Sequence, residues 1–304
     1  MSIVAIGNPV FDLIETPFIK TSGRVLSGCS TNAALTYAKL GGKATLIGKV
    51  GDDFKLKLIE TTKKYGVEVI ALKSRNSGGF YLKYLDEKME DRELYVLGVA
   101  DPINFNELPS FVFESQGIII GPILNEISHE FMVDLANNHN DGLILVDPQG
   151  FLRKLNGEKV VHFRPDYITD IIRLSHVFKP NEKEAKIIFP NLSPEKIALK
   201  ISNINNAVGI VTLAHKGSVV AFMNKVYHIP AFRTVERDPT GCGDVYAGAF
   251  MYYYLRTDNP IEAAAFASAA ASFMVETTGP DFKLPFRELE HRFEKILNDI
   301  KRLD

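Results

Sequence analysis

The sequence has no tryptophan, only two cysteines, and no excess of either sign of charge. Each scarcity excludes something. Cys29 and Cys242 cannot build a disulfide framework, so a reduced, cytoplasmic protein is expected. The 35 basic and 37 acidic residues leave a net charge of −2, without the field that draws a protein to nucleic acid. The longest apolar stretch, 263–275, is Ala- and Ser-rich and too short to cross a bilayer, so no membrane role is expected. Met1-Ser-Ile-Val-Ala-Ile-Gly7 has neither a basic leader nor a small-residue cleavage site and reads as a buried first strand. What is present, 46% hydrophobic and 24% charged residues over 304 positions, is the composition of an ordinary globular chain with room for a large core.

Short β-branched runs occur at 3–6, 44–50, 67–72, 117–120, 143–146, 176–178 and 209–213, several of them apolar at successive positions, as in strands buried on both faces. Helical segments at 31–40, 54–65, 128–137, 194–204, 243–255, 261–275 and 285–300 separate them. The alternation predicts an α/β fold, doubly wound, with a mostly parallel central sheet flanked by helices. Residues 77–98 break the pattern: two β-rich runs flank a charged turn with no helix between them, which predicts an antiparallel hairpin. With 11–26 it forms a small β-sheet, either a surface hairpin or a lid over a cleft. One domain over 1–304 is expected, since no repeat or linker divides the chain.

Familiar chemical signatures are missing. Gly7 is followed by Asn8-Pro9-Val10-Phe11-Asp12, so the dinucleotide fingerprint fails. There is no P-loop and no nucleophile elbow. His129-Glu130 begins like a zinc helix, but Val133 occupies the second ligand position.

The strongest signal is Asp238-Pro-Thr-Gly-Cys-Gly-Asp244, which leads into a helix rich in small residues. Free N–H groups and the dipole at such a helix start stabilise an anion, and glycine lets phosphate oxygens approach the backbone. Asp244 either caps this helix or serves as a general base.

The segment resembles the C-terminal signature of the ribokinase (PfkB) family of sugar and nucleoside kinases, Asp-Thr-x-Gly-Ala-Gly-Asp, with Pro239 and Cys242 as departures. Ser27-Gly28-Cys29-Ser30-Thr31-Asn32-Ala33 is similar to the family's Gly-Gly-x-x-x-Asn-x-Ala, with Ser27 in place of the first Gly. Asn181-Glu-Lys-Glu184 matches its Asn-x-x-Glu, and Thr212-Leu-Ala-His-Lys-Gly217 resembles its Thr-Leu-Gly-x-x-Gly. The matches run in order along essentially the whole chain.

The resemblance implies an ATP-dependent kinase that phosphorylates a hydroxyl of a sugar or cyclitol. Asp244 would be the base, and Gly241, Cys242 and Gly243 the anion hole. It places Asn8, Asp12, Gly28 and Asn32 on the acceptor substrate. Gln149, which follows a parallel strand on the side where such sheets bind ligands, joins them. It places Asn181, Thr212, Gly217 and Ser268 on the nucleotide, and Glu184 on Mg2+ through water. Asp238 and Gly279 fall near the family's monovalent-cation loop, so K+ enters as a candidate. A lid at 77–98 would exclude water and join two copies in a homodimer. The alternatives are a nucleoside kinase, with Phe11, Phe80 and Tyr81 stacking the base, and a non-catalytic sugar sensor.

Overall fold

Strand β1 (Ser2–Ile6) shows how the chain is layered: Ile3 and Ala5 pack into one hydrophobic core, Val4 and Ile6 into another. Successive side chains of a strand point to opposite faces, so a run apolar at every position must be covered twice. The computed structural model describes residues 1–87, 89, 91–139 and 142–303.

Among these residues β1 is one of ten strands in a single sheet. The others are β4 (Lys43–Val50), β5 (Val67–Lys73), β8 (Gly117–Ile120), β9 (Leu143–Val146), β12 (Val177–Phe178), β13 (Val208–Thr212), β14 (Ser218–Phe222), β15 (Lys225–Ile229) and β16 (Lys301–Arg302). Their order is β5-β4-β1-β8-β9-β12-β13-β14-β15-β16. Neighbours from β5 to β13 are parallel, and the last three strands continue antiparallel. The first core is closed by α1 (Cys29–Lys39), α2 (Lys55–Lys64), α7 (Cys242–Thr257), α8 (Pro260–Met274) and α9 (Phe286–Asn298). The second is closed by α3 (His129–Asn138), α4 (Ile168–Arg173), α5 (Glu182–Ile188) and α6 (Pro194–Asn205). The expected doubly wound, mostly parallel architecture is what the chain adopts.

A second sheet of six strands lies beside it: β2 (Val10–Glu15), β3 (Val25–Ser27), β6 (Gly79–Tyr84), β7 (Arg92–Gly98), β10 (Arg153–Asn156) and β11 (Lys159–His162). Strands β6 and β7 pair antiparallel, as the sequence predicts for this stretch. Val10, Ile14, Phe80 and Leu82 pack beneath the sheet with Cys29 and Ile123 as a third core. The β10–β11 hairpin, joined to β7 through Lys159 and Tyr95, extends this sheet beyond the segments expected from sequence.

Two helices meet unusually closely. A Cβ on Gly248 of α7 would collide with the Ala33 carbonyl of α1 and come within 2.9 Å of Thr36 Cβ. Glycine here sets the distance between α1 and α7, and so between the side chains at their N-terminal turns.

Candidate active site

Parallel α/β sheets gather ligands at the carboxyl ends of their strands. In this chain Asn8 follows β1, Asp147 follows β9 and Lys179 follows β12. Asp244, in the first turn of α7, reaches the same edge: the Asn32 amide of α1 donates to its Oδ2 at 3.0 Å. Gly241 makes the approach feasible. It sits at φ 83°, a left-handed conformation that favours glycine, and a Cβ there would lie 2.8 Å from Asn32 Nδ2. Gly28, ahead of α1 at φ 116°, plays the same part opposite Asn8, whose carbonyl would be 3.2 Å from an added Cβ.

The cluster is dense in charge. Lys179, buried, pairs with buried Asp147 at 2.7 Å, and its Nζ lies 3.5 Å from where a Cβ of Gly243 would be. Ligating atoms of Cys29, Asp147 and Asp244 all lie within 4.8 Å of one another. Desolvation and then the Asp147 charge push the Asp244 carboxyl up to about 6, against the Asn32 bond and Lys179. Desolvation works against the Lys179 ammonium, but Asp147, Cys29 and Glu184 together outweigh it and keep the group charged. Burial places the Cys29 thiol far above its ordinary range, so it is a neutral neighbour of Asp244.

On the side of the second sheet, buried Asp12 accepts from the Phe80 amide at 2.8 Å. Desolvation, opposed by this bond, Ser27, Arg92 and Arg24, leaves its carboxyl at about 7. Tyr84 of β6 reaches across to share a hydrogen with Thr240 Oγ1 at 2.9 Å, and Arg92 Nη1 donates to the Tyr84 hydroxyl at 2.9 Å. The second sheet is therefore tied directly to the loop before α7. Asp238 anchors that loop: it is fully buried, accepts from the Thr240 amide at 2.9 Å, and binds Thr278 Oγ1 at 2.5 Å, next to Gly279.

Asn181 and Glu184 cap α5 reciprocally. Asn181 Oδ1 accepts from the Glu184 amide, and Glu184 Oε2 from the Asn181 amide, each at 2.9 Å. Such a box satisfies two free donors of the helix start. Glu184 is 3% exposed, and its other oxygen has no partner among the described residues. Burial, then Asp147, raises its carboxyl above the ordinary range. Asn181 also bridges to Thr212 at the end of β13. Gly217 and Ser268 meet at one strand end: a Cβ on Gly217 would collide with the Ile229 carbonyl, and Ser268 Oγ donates to the Pro230 carbonyl at 2.8 Å.

Asn8 stands apart. Its side chain donates to the Asp101 carbonyl at 3.0 Å and accepts from the Lys49 amide at 2.8 Å, and Glu126 holds its main-chain N–H at 3.0 Å. Its amide joins β1, β4 and the 101 loop. Gln149 is half-buried, and its main-chain N–H donates to Asp147 Oδ1 at 3.1 Å. The Lys179–Asp147 pair was not among the expected site residues. Its signal is positional, since both residues come directly after buried parallel strands.

The family described as pfkB family carbohydrate kinase matches residues 3–287. A ribokinase of Lactococcus lactis subsp. lactis is 28% identical over 298 residues, covering 94% of this chain and 91% of its own. A nucleoside kinase of Methanothermobacter thermautotrophicus is 25% identical over 301 residues, 93% and 92% of the two chains. Among solved structures, a pyrophosphate-dependent kinase in the ribokinase family, complexed with a pyrophosphate analog and myo-inositol, superposes with a TM-score of 0.82 at 23% identity over 95% of this chain and 99% of its own. The matched residues extend from β1 past the Asp244 helix to the start of α9, and this chain belongs to the pfkB family of carbohydrate kinases.

Proposed function

We propose that this kinase phosphorylates a hydroxyl of a free sugar or cyclitol, with Asp244 as general base. The observation that carries the reading is the Asp244 carboxylate itself. It stands in the first turn of α7 beside the Gly241–Gly243 backbone, is held by Asn32 at 3.0 Å, and has its pKa brought to about 6. A base of that strength is ionised at neutral pH yet close enough to it to accept a proton readily. The Cys242 N–H donates to the Pro239 carbonyl at 3.2 Å, so of the three expected amides those of Gly241 and Gly243 are uncommitted among the described residues and would hold charge on the phosphoryl oxygens, where fixed dipoles need no reorganisation. Positioning and electrostatics then supply most of the catalysis.

Asp12, Gly28, Asn32, Asn8 and Gln149 would form the acceptor floor, with Asn8 acting through the strand ends that its amide joins. Asn181, Thr212, Gly217 and Ser268 would flank ATP. The chemistry of Glu184 suits Mg2+: a single buried carboxylate with one uncommitted oxygen matches a hard ion that keeps its waters. When bound, the ion would offset negative charge on the phosphates. The buried Asp238, tied through Thr278 to Gly279, supports a monovalent-cation loop there. Exposed Tyr95, Leu97 and Leu155 on the second sheet support pairing of two copies through this lid, which would cover open strand edges.

The preference for a free sugar or cyclitol over a nucleoside rests on the aromatics. Phe11 is fully buried and stacked on Phe54 at 4.2 Å, Phe80 is in the core beneath the lid, and Tyr81 stacks on Tyr95 and bonds Glu15. All three rings are already engaged, leaving none free to stack a base. ATP-coupled turnover on ribose, fructose, 2-keto-3-deoxygluconate, myo-inositol, adenosine and cytidine tests this. The reading expects the highest kcat/KM for a free sugar or cyclitol; a nucleoside preferred over inert free sugars overturns the choice of acceptor.

A further inference from the structure

Four lysines and arginines are at least nine-tenths buried among the described residues, and three have a carboxylate partner. Lys49 pairs with Glu107 at 2.9 Å, Lys179 with Asp147 at 2.7 Å, and Arg292 with Glu276 at 2.8 Å. The fourth, Arg153, has none. It is 7% exposed, its main chain is fixed by pairing with His162, and its guanidinium makes no hydrogen bond or ion pair among the described residues. Its Nε is buried outright without an acceptor. An unpaired buried charge is among the costliest groups a fold can carry. Desolvation, and then repulsion by Arg92, bring this guanidinium down to about 10, so it stays protonated at neutral pH. A permanent partner is missing, which is the condition of a residue whose partner arrives with the reaction.

Position says which partner. Arg153 opens β10 at the junction of the two sheets, just after the turn Gln149–Leu152 that follows Asp147. The carboxylates that most favour its charge are Glu184, then Asp147 and Asp244. Its chain position, directly after the Asp147 turn, and the carboxylates that act on it set it beside the cluster that includes the group suited to Mg2+ and the proposed base. We infer that Arg153 is a catalytic residue whose guanidinium binds the oxygens of the phosphoryl group in transit. The inference rests on the reading of Asp244 as the base. In the step concerned, the acceptor oxygen forms a bond to phosphorus and the bond to the bridging oxygen of ADP breaks, its electron pair leaving with ADP. The hydroxyl proton passes to Asp244. Arg153 holds charge throughout and exchanges no proton. A planar fork of donors matches phosphoryl oxygens better than an ammonium does.

A carboxylate on an acidic acceptor would offer the guanidinium the same chemistry, and the experiment separates the two sources. R153M and R153K are assayed with ATP on the best neutral acceptor and on 2-keto-3-deoxygluconate. Thermal unfolding is followed without ligand, with MgADP, and with MgADP, aluminium fluoride and acceptor. For R153M we expect kcat to fall about 10²–10³-fold on either acceptor, with acceptor KM within about threefold and partial rescue by millimolar guanidinium. R153K should recover only part of the loss. The extra stabilisation by aluminium fluoride should vanish while that by MgADP persists, and the ligand-free protein should be at least as stable as wild type. Unchanged kcat, a KM increase confined to the acidic acceptor, or a ligand-free loss of stability without rescue each overturns the inference. Full turnover by D244N would instead sink the base assignment, whatever Arg153 does.

Discussion

Asn32 and Asp244, far apart in sequence, share a 3.0 Å hydrogen bond between the first turns of α1 and α7. The bond fixes the rotamer of Asp244 through Oδ2. It depends on the close crossing of the two helices at Gly248 and on the left-handed turn at Gly241.

The first prediction concerns pH. The folded-state value of about 6 for Asp244 lies above the ordinary 3.8, so a base that must be ionised loses activity on the acid side. With acceptor and ATP saturating, kcat should fall about tenfold per pH unit below 6. The same shift means that the folded protein binds this proton more tightly than the unfolded chain. Its contribution to stability is therefore lost as pH rises from about 4 to about 6. At neutral pH D244N should be more stable than wild type by about 1–3 kcal/mol and melt at a higher temperature; a lower melting temperature would mean that the carboxylate is a stabilising cap.

Tyr84 offers a second test, because its hydroxyl links β6 to Thr240 at 2.9 Å. Y84F removes a hydrogen bond of about 0.5–1.5 kcal/mol without changing ring packing. We expect a two- to tenfold rise in acceptor KM and more ATP hydrolysis without acceptor, since a lid that closes less firmly admits water. Unchanged hydrolysis would reduce the contact to simple packing.

Gly248 gives a third. G248A places a methyl against the Ala33 carbonyl, and overpacking of this kind costs about 1–3 kcal/mol. The helices must part, carrying Asn32 away from Asp244, so kcat should fall along with the melting temperature. A stability loss with kcat untouched would show that the helix crossing does not set the site.

Much of this was legible in the sequence. The parallel strands β1, β4, β8, β9, β12 and β13 read clearly because burial on both faces writes apolar runs, and the Asp244 helix because small residues precede an apolar stretch. The β10–β11 hairpin did not, since Arg-Lys-Leu-Asn and Lys-Val-Val-His lack the alternation of a half-buried pair and depend on pairing with β7. Helix α5 is short, and its Asn181–Glu184 box reads equally as a charged helix start. Lys179 and Arg153 look like solvated bases in sequence. Only tertiary packing removes them from water, giving one a partner and leaving the other without. Asn8 reads as a site residue through the family resemblance of its segment, but the loop at Asp101 that engages it is distant in sequence.

The fourth prediction addresses Glu184. E184Q keeps the shape of the capping box while removing the charge offered to the hydrated ion. A magnesium titration at saturating acceptor and ATP should shift to higher concentration by about tenfold or more, with acceptor KM little changed. An unshifted curve would return Glu184 to the role of helix cap alone.

The most direct test of the central claim follows the phosphoryl group itself, from γ-labelled ATP to the preferred acceptor, in wild type and D244N. The account predicts label on an acceptor hydroxyl with wild type. It predicts transfer slower by about 10²–10⁴ in D244N, at nearly unchanged acceptor KM. D244N transferring label at close to the wild-type rate would contradict it.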